Sequence, residues 1–376
     1  MKGLKEVKVL FTGGGTGGHV SPAIAIAEIL EERGMLDDCL FVGRDGGEEN
    51  EAITKRGYNL STINVSPIPR KISIKAVSAS YSLLRAFKEA KAILKGFKPD
   101  IVVATGGYVS YPILQTAIKM KIPTAIHESN AYPGLVTRRL GPKCNVVLLG
   151  MDMASEYLKK CKRIVKCGTP VKKEFFSHDY YSSRKRLGIK PDEKLIVSFG
   201  GSGGADTINR TILNMMASYN KSGIKIRHIH AVGRKNYESA LNEYKSLIKT
   251  TESSKCKIVP YIDDMPLLLS AADLTITRSG AMTISELAVT STQSILIPSP
   301  NVAANHQYYN ALFAKEYFSA HIIEEKCLSA EILTDTAYKM LSSWRTVNTS
   351  DLMKRRNNSS KCEDIIAKSL QSIAIH

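Results

Sequence analysis

His19 closes a run of five glycines in "FTGGGTGGHVSPAIAIAEIL" (11–30), between an apolar run and an apolar helical pattern. Gly13, Gly14, Gly15, Gly17 and Gly18 leave the main chain around Thr16 bare. Where such a loop opens a helix, unpaired N–H groups and about half a positive charge face outward, a natural seat for an anion. The competing reading is a tight strand-to-helix turn that needs positive φ. His19 falls at the start of the helix, where the dipole disfavours an imidazolium. A neutral ring there could act as general base towards a hydroxyl nucleophile, or could simply fill the cap.

Two further stretches carry similar chemistry. "FGGSGGADTIN" (199–209) repeats the glycine loop around Ser202, which supports anion binding over a bare turn. "TRSGAMTISELA" (277–288) sets Arg278 as a fixed cation beside Ser279–Thr283, whose N–H groups could meet a diphosphate. Glu286 is placed to accept two hydrogen bonds from a ribose diol, or to close a capping box with Thr283. "NHQYYN" (305–310) adds Asn305, His306 and Gln307 just past a strand pattern.

The elements that must hold these residues alternate strand and helix. "VKVLFT" (7–12), "CLFVG" (39–43), "DIVVATGG" (100–107), "TAIHES" (124–129) and "NVVLLG" (145–150) read as buried strands with helical patterns between them. The helix after the first glycine loop is expected to open at Ser21 and Pro22 and to stop at Gly34. The theme restarts in "EKLIVSFGG" (193–201), followed by strands in 226–233, 256–261, 274–280 and 294–300. Two doubly wound α/β domains follow, each binding at the carboxyl ends of its strands. A polar, turn-rich stretch near 167–194 marks the boundary, and beyond about Ser343 the pattern thins to one weak helix.

The chain has 376 residues, 43% of them hydrophobic, and a formal charge of +17, which points to anionic partners. Its seven dispersed cysteines suit reduced thiols, not a disulfide frame or a zinc site. No signal peptide or membrane span is apparent. The glycine loops lack a Walker lysine, and no acidic residue ends the second strand as a dinucleotide fold requires. Aromatic residues are only 7% and no nucleic-acid motif appears. Residues 68–98 interleave Ile68, Ile72, Ile74 and Val77 with Arg70, Lys71 and Lys75, then place Leu83, Leu84, Phe87, Ala90 and Leu94 at helical spacing. That pattern suits an anionic membrane surface, or a crossover helix with a solvated basic side.

In order along the chain stand "GGGTGGHVSPAIAIAEIL", "TGGYVSYP" (105–112), "HESNAYPG" (127–134), "GTPV" (168–171), "FGGSGGADTIN", "YIDDM" (261–265), "TRSGAMTISELA" and "NHQYYNA". Together they resemble the MurG family, the N-acetylglucosaminyltransferases that convert lipid I to lipid II. The resemblance runs from about Val7 to about Met340. It implies a GT-B fold, two Rossmann-like doubly wound parallel sheets facing across a cleft, and an inverting, metal-independent transferase without a cofactor. It also implies an acceptor and membrane-facing domain (1–166), a UDP-sugar donor domain (167–342) and a helical tail (343–376). The expected place is the cytoplasmic face of the bacterial membrane, as a peripheral protein that binds no nucleic acid.

Carried onto this sequence, the resemblance makes His19 the base. Donor contacts fall on Thr16, Gly17, Gly18, Asn130, Lys172, Ser202, Gln307, the main chain of Ile262, and Ala281, Met282, Thr283, Ile284, Ser285 and Glu286. Gly14, Gly15, Tyr108, His127, Glu128 and Arg278 fall on the cleft and acceptor side. The sequence departs from the family at Lys172, where arginine is common, and at Gly203 and Ser129, where glutamine is usual. Ala304 stands where an acidic residue is often found. Lysine keeps the charge at 172 but loses the planar donor fork. The nearest rival is another UDP-sugar transferase of the same architecture, such as one acting on diacylglycerol; a non-catalytic basic nucleotide-binding protein is the rival of another class.

Overall fold

The computed structural model describes residues 6–14, 17–47, 50–66, 74–201, 203–219, 225–248, 255–342 and 349–374; for 17, 74–81 and 349–360 it describes the main chain alone. The chain forms two compact units, 1–171 with 357–376, and 172–356.

In the first unit the described strands are β1 (Val7–Gly13), β2 (Leu36–Arg44), β3 (Asn59–Ile63), β4 (Ile101–Gly106), β5 (Thr124–Glu128), β6 (Val146–Leu149) and β7 (Ile164–Lys166). They pair in parallel in the order β3-β2-β1-β4-β5-β6-β7. Its helices are α1 (Gly17–Glu32), α2 (Asn50–Thr54), α3 (Ile74–Phe97), α4 (Ser110–Lys119) and α5 (Leu135–Leu140). The central strands β4, β5 and β6 are buried throughout, as a sheet covered on both faces requires. One face packs Phe11, Val103 and Leu148 against Ile26 and Leu30 of α1; the other packs Leu10, Val102 and Val147 against Ala90 and Leu94 of α3 and Ile113 of α4. β1 sits between β2 and β4, and the chain leaves it in opposite directions, so the crevice of this sheet opens at the carboxyl ends of β1 and β4.

The second unit carries α6 (Tyr180–Arg186), β8 (Lys194–Phe199), α7 (Asp206–Ser218), β9 (Ile226–Ala231), α8 (Tyr237–Leu247), β10 (Cys256–Val259) and α9 (Met265–Ala271). It continues through β11 (Leu274–Thr277), α10 (Ala281–Thr290), β12 (Gln293–Leu296), α11 (His306–Tyr317), β13 (Ala320–Ile322) and α12 (Ala330–Ser342). Its parallel order, β10-β9-β8-β11-β12-β13, places the switch between β8 and β11.

The first helix opens earlier than its capping signals suggest. α1 begins at Gly17 and carries Pro22 inside it. The proline removes the N–H that would reach the Gly18 carbonyl, and His19 lies in the first turn of the helix, the start at which it is expected. The stripe in α3 also divides: Ala90 and Leu94 are buried, Phe87 packs edge-on to Tyr111 at 6.0 Å, and Leu84 is 65% exposed. Residues 67–73, with Ile68, Arg70, Lys71 and Ile72, lie outside the described residues.

The weak terminal pattern is α13 (Thr349–Ala374), and its second half belongs to the first unit. Cys362, Ile366, Ala367 and Leu370 enter the α1 side of the first core, while Arg33 pairs with Glu363 (3.5 Å) and Asp364. Ile366 is fully buried there. Ile366→Ala should therefore destabilise the first unit by about 2–4 kcal/mol, read as a lower first transition in calorimetry; a shift below about 0.5 kcal/mol would mean that α13 merely lies on the surface.

Candidate active site

The first switch point is built around the His19 ring. Its Nδ1 lies 3.1 Å from the carbonyl oxygen of Thr105, the residue before the end of β4. Gly106 has φ +105°, and a Cβ there would stand 2.9 Å from His19 Nδ1. Gly107 has φ +80°, and a Cβ there would stand 1.9 Å from the Gly14 carbonyl and 3.1 Å from His19 Cδ2. A Cβ on Gly13 would meet the Thr105 hydroxyl at 2.1 Å. These glycines are bare because the imidazole and its supports occupy the space. Gly14 is buried and Gly18 is exposed at the first turn of α1; Gly17 opens that turn, and Gly15 and Thr16 lie outside the described residues.

The end of β5 is held by polar groups turned inward. His127 is fully buried; its Nε2 donates to the Gly168 carbonyl (3.1 Å) and its Nδ1 is 3.3 Å from Ser129 Oγ. Burial lowers its pKa, so the ring is a neutral clamp. Glu128, also buried, accepts from Asn130 N and Nδ2 (3.0 Å each), Gly134 N (2.9 Å) and Thr137 Oγ1 (2.6 Å). Its carboxylate thereby shapes the loop into α5 and presents the partly exposed Asn130. Tyr108 packs on the α3–α4 side of the core and keeps part of its surface.

In the second unit, Gly204 (φ +79°) passes so close to the next loop that a Cβ would stand 2.2 Å from the Val232 carbonyl. Gly233 (φ +89°) answers it, with 2.7 Å to the Gly203 carbonyl. Ser202 lies outside the described residues.

At the end of β11, Gly280 is the N-cap of α10 and supplies no side-chain cap. The first helical bond runs from Ile284 N to Gly280 O (3.0 Å), so Ala281, Met282 and Thr283 present main-chain N–H groups without a partner in the helix. Ile284 is buried, and Ser285 Oγ bonds back to the Ala281 carbonyl at 3.0 Å. Thr283 is inside the helix, which removes the capping-box reading of Thr283 and Glu286. Glu286 is partly exposed, and among the described residues its carboxyl has no hydrogen-bond donor. Loss of water around it raises its pKa to about 7, against the pull of the exposed Lys172.

Supporting polar residues hold this turn. Ser279 is fully buried and donates to the Gln307 carbonyl (2.7 Å), while buried Asn310 Nδ2 reaches the Ser279 carbonyl (3.2 Å). Gln307 Oε1 accepts from Ser299 N at 2.9 Å. Arg278 is engaged within the fold, donating to the Ile297 and Pro298 carbonyls (3.2 and 3.3 Å) and pairing with Glu325. The side chain of Ile262 is buried, which fixes the main chain just after β10. Among the described residues, no group of three or more His, Cys, Asp or Glu side chains could hold a metal ion.

Residues 9–149 match the glycosyltransferase family 28 N-terminal domain and residues 195–368 its C-terminal domain. A Caldanaerobacter subterraneus subsp. tengcongensis protein is 39% identical over 89% of this chain and 91% of its own length. It is named UDP-N-acetylglucosamine–N-acetylmuramyl-(pentapeptide) pyrophosphoryl-undecaprenol N-acetylglucosamine transferase. A Ruminiclostridium cellulolyticum protein of that name is 40% identical across 94% of this chain and 95% of its own. The chain belongs to glycosyltransferase family 28, in its MurG branch. Acinetobacter baumannii MurG shares the fold, with TM-score 0.72 at 23% identity over 97% of this chain and 99% of that one. The paired sheets are those of the GT-B architecture.

Among MurG-type features, sequence reasoning passed over Thr105 and Asn310. Both are buried polar residues within a quoted motif, and their partners lie 86 and 31 residues away, so spacing carries no trace of the contacts they make. Glu286 leaves a thermodynamic signature. Its folded pKa, about 7, lies above the ordinary 4.5, so folding is favoured while the carboxyl is protonated and loses that advantage as pH rises from 4.5 to about 7. Glu286→Gln should therefore raise the Tm at pH 8 and leave it nearly unchanged at pH 4. An equal shift at both would show that the carboxylate is not strained by its site.

Proposed function

We propose that this chain transfers N-acetylglucosamine from UDP-N-acetylglucosamine to the muramyl 4-hydroxyl of undecaprenyl-diphosphate-MurNAc-pentapeptide, turning lipid I into lipid II. The observation that carries the reading is the seat of His19. A carbonyl only accepts, so the Thr105 oxygen requires the proton on Nδ1, and in the neutral ring Nε2 holds the lone pair a base needs. The relatives' named activity supplies the substrates.

The acceptor oxygen attacks the anomeric carbon as the bond from that carbon to the diphosphate breaks, which inverts the centre in one displacement. The acceptor's proton passes to His19 Nε2, and the electron pair leaves with UDP. Main-chain N–H groups at the start of α10, with Lys172 and Ser202, stabilise the charge that develops on the diphosphate. Glu286 takes the ribose hydroxyls, Ile262 the base through its main chain, and Gln307 and Asn130 the sugar. Thr16, Gly17 and Gly18 border the transferred group. In this reading 1–166 serves the acceptor and 167–342 the donor.

The acceptor is a lipid, and the chain would meet it at the cytoplasmic face of the membrane, without crossing it. No helix among the described residues is long and apolar enough to span a bilayer. Exposed Leu84 of α3 and the basic residues around 68–98 are the proposed contact.

His19→Ala should lower transfer to lipid I by about 100-fold or more, the usual worth of a general base, with UDP affinity unchanged by titration calorimetry. Parallel loss of UDP binding would make His19 structural, and label entering diacylglycerol instead of lipid I would favour the rival acceptor. For the membrane contact, the protein should co-sediment at low salt with vesicles containing anionic phosphatidylglycerol, and Leu84→Glu should weaken this. Absence of sedimentation by the wild type would remove the proposed patch.

A further inference from the structure

Thr105 meets His19 twice. Its carbonyl oxygen lies 3.1 Å from the ring Nδ1, and its hydroxyl donates to the His19 carbonyl at 2.6 Å, with the Thr12 carbonyl at 3.5 Å. The residue is 3% exposed. One residue of β4 therefore grips both the imidazole and the main chain of a residue in the first turn of α1.

The surrounding glycines make room for this grip. Gly13 leaves space for the Thr105 hydroxyl, Gly106 for the imidazole Nδ1 and Cε1, and Gly107 for Cδ2 and the Gly14 carbonyl. The hydroxyl's bond to the His19 carbonyl ties β4 to the first turn of α1 at the residue whose ring the same threonine meets.

We propose that Thr105 is a positioning residue of the transfer reaction: its carbonyl fixes the His19 tautomer and its hydroxyl fixes the turn that carries the ring. The proposal rests on His19 being the base. A peptide carbonyl cannot give up a proton or turn away without moving β4, so Nδ1 is held as a donor and Nε2 is kept basic. The hydroxyl keeps α1 from sliding along the end of β4, which would part Nδ1 from its acceptor.

The experiment combines nitrogen-15 NMR of histidine-labelled protein, with the His19 signal assigned by its loss in His19→Ala, and steady-state transfer kinetics. Wild-type His19 should show the Nδ1–H tautomer near neutral pH. The Nε2–H tautomer would overturn the proposal, whether or not the chain transfers sugar to lipid I. Thr105→Val keeps shape and removes the hydroxyl. It should mix the tautomers, lower kcat about 10-fold against the larger effect of losing the base, and leave the KM for sugar nucleotide and the UDP affinity unchanged. Thr105→Ser should restore the single tautomer and at least about half the wild-type kcat, since the hydroxyl is retained. In a His19→Ala background Thr105→Val should bring no further loss, because its effect runs through the ring. An added loss there, or unchanged kcat and tautomer in a folded Thr105→Val protein, would sink the assignment. If Thr105→Val does not fold, the wild-type tautomer and the kinetics of Thr105→Ser decide. Wild type inert towards lipid I would refute the proposed function separately, with the tautomer still judging Thr105.

Discussion

A side chain at Gly107 would collide with the Gly14 carbonyl at 1.9 Å, and the first site depends on that absence. The carboxyl ends of β1 and β4 can close on each other only through bare main chain. Closing them brings Thr105 under the first turn of α1 and seats an imidazole at the crevice of the sheet. The second unit uses the same device at Gly204 and Gly233, between the loops that follow β8 and β9. In both units the positive φ of these glycines is demanded by close approach of protein to protein. The glycine density that first suggests an anion thus serves two ends: it packs the loops, and the packed loops hold helix amino-termini open.

The polar residues of the motifs divide by their surroundings. His127, Glu128, Ser279 and Arg278 are engaged by hydrogen bonds inside the fold, and they hold loops in place. A satisfied buried carboxylate such as Glu128 is stable where it sits; removing one of its donors would leave a desolvated charge. Glu286 is the opposite case. Among the described residues its carboxyl has gained no donor to offset the lost water, while the charge of Lys172 favours its ionised form. Groups held in that condition are where a fold accepts a local penalty in exchange for binding.

The sheet centres were legible because β4 and β6 open as apolar runs and β5, though polar at its carboxyl end, is like them buried throughout. The edges were not. β3, β7 and β13 are short and half-exposed, with burial alternating or fading along them, so they carry no period that sequence alone reveals. The candidate site was legible where glycine, histidine and acid fell within one motif. It was silent where the contact is made by a carbonyl, as at Thr105, because every residue has one and only the fold selects which is used. The return of α13 to the first core was equally hidden: Cys362, Ile366 and Leu370 pack with residues of β1 and α1 at the far end of the chain.

Lys172 and Glu286 bind the second site into one electrostatic unit. Lysine in place of the arginine common in the family gives up a bidentate fork but remains a compact cation near a carboxyl poised about neutrality. A ribose diol donating to Glu286 would favour the carboxylate, and a diphosphate arriving at α10 would draw on the same lysine charge. Under the proposed function the two halves of a nucleotide would not bind independently here. The sugar end would relieve the strain of the carboxyl, the phosphate end would compete with it for Lys172, and the bare amides of Ala281, Met282 and Thr283 would supply the remaining positive potential. With Arg278 engaged by Glu325, that potential would come largely from main chain, which under the proposed function ties donor recognition to the position of α10 itself.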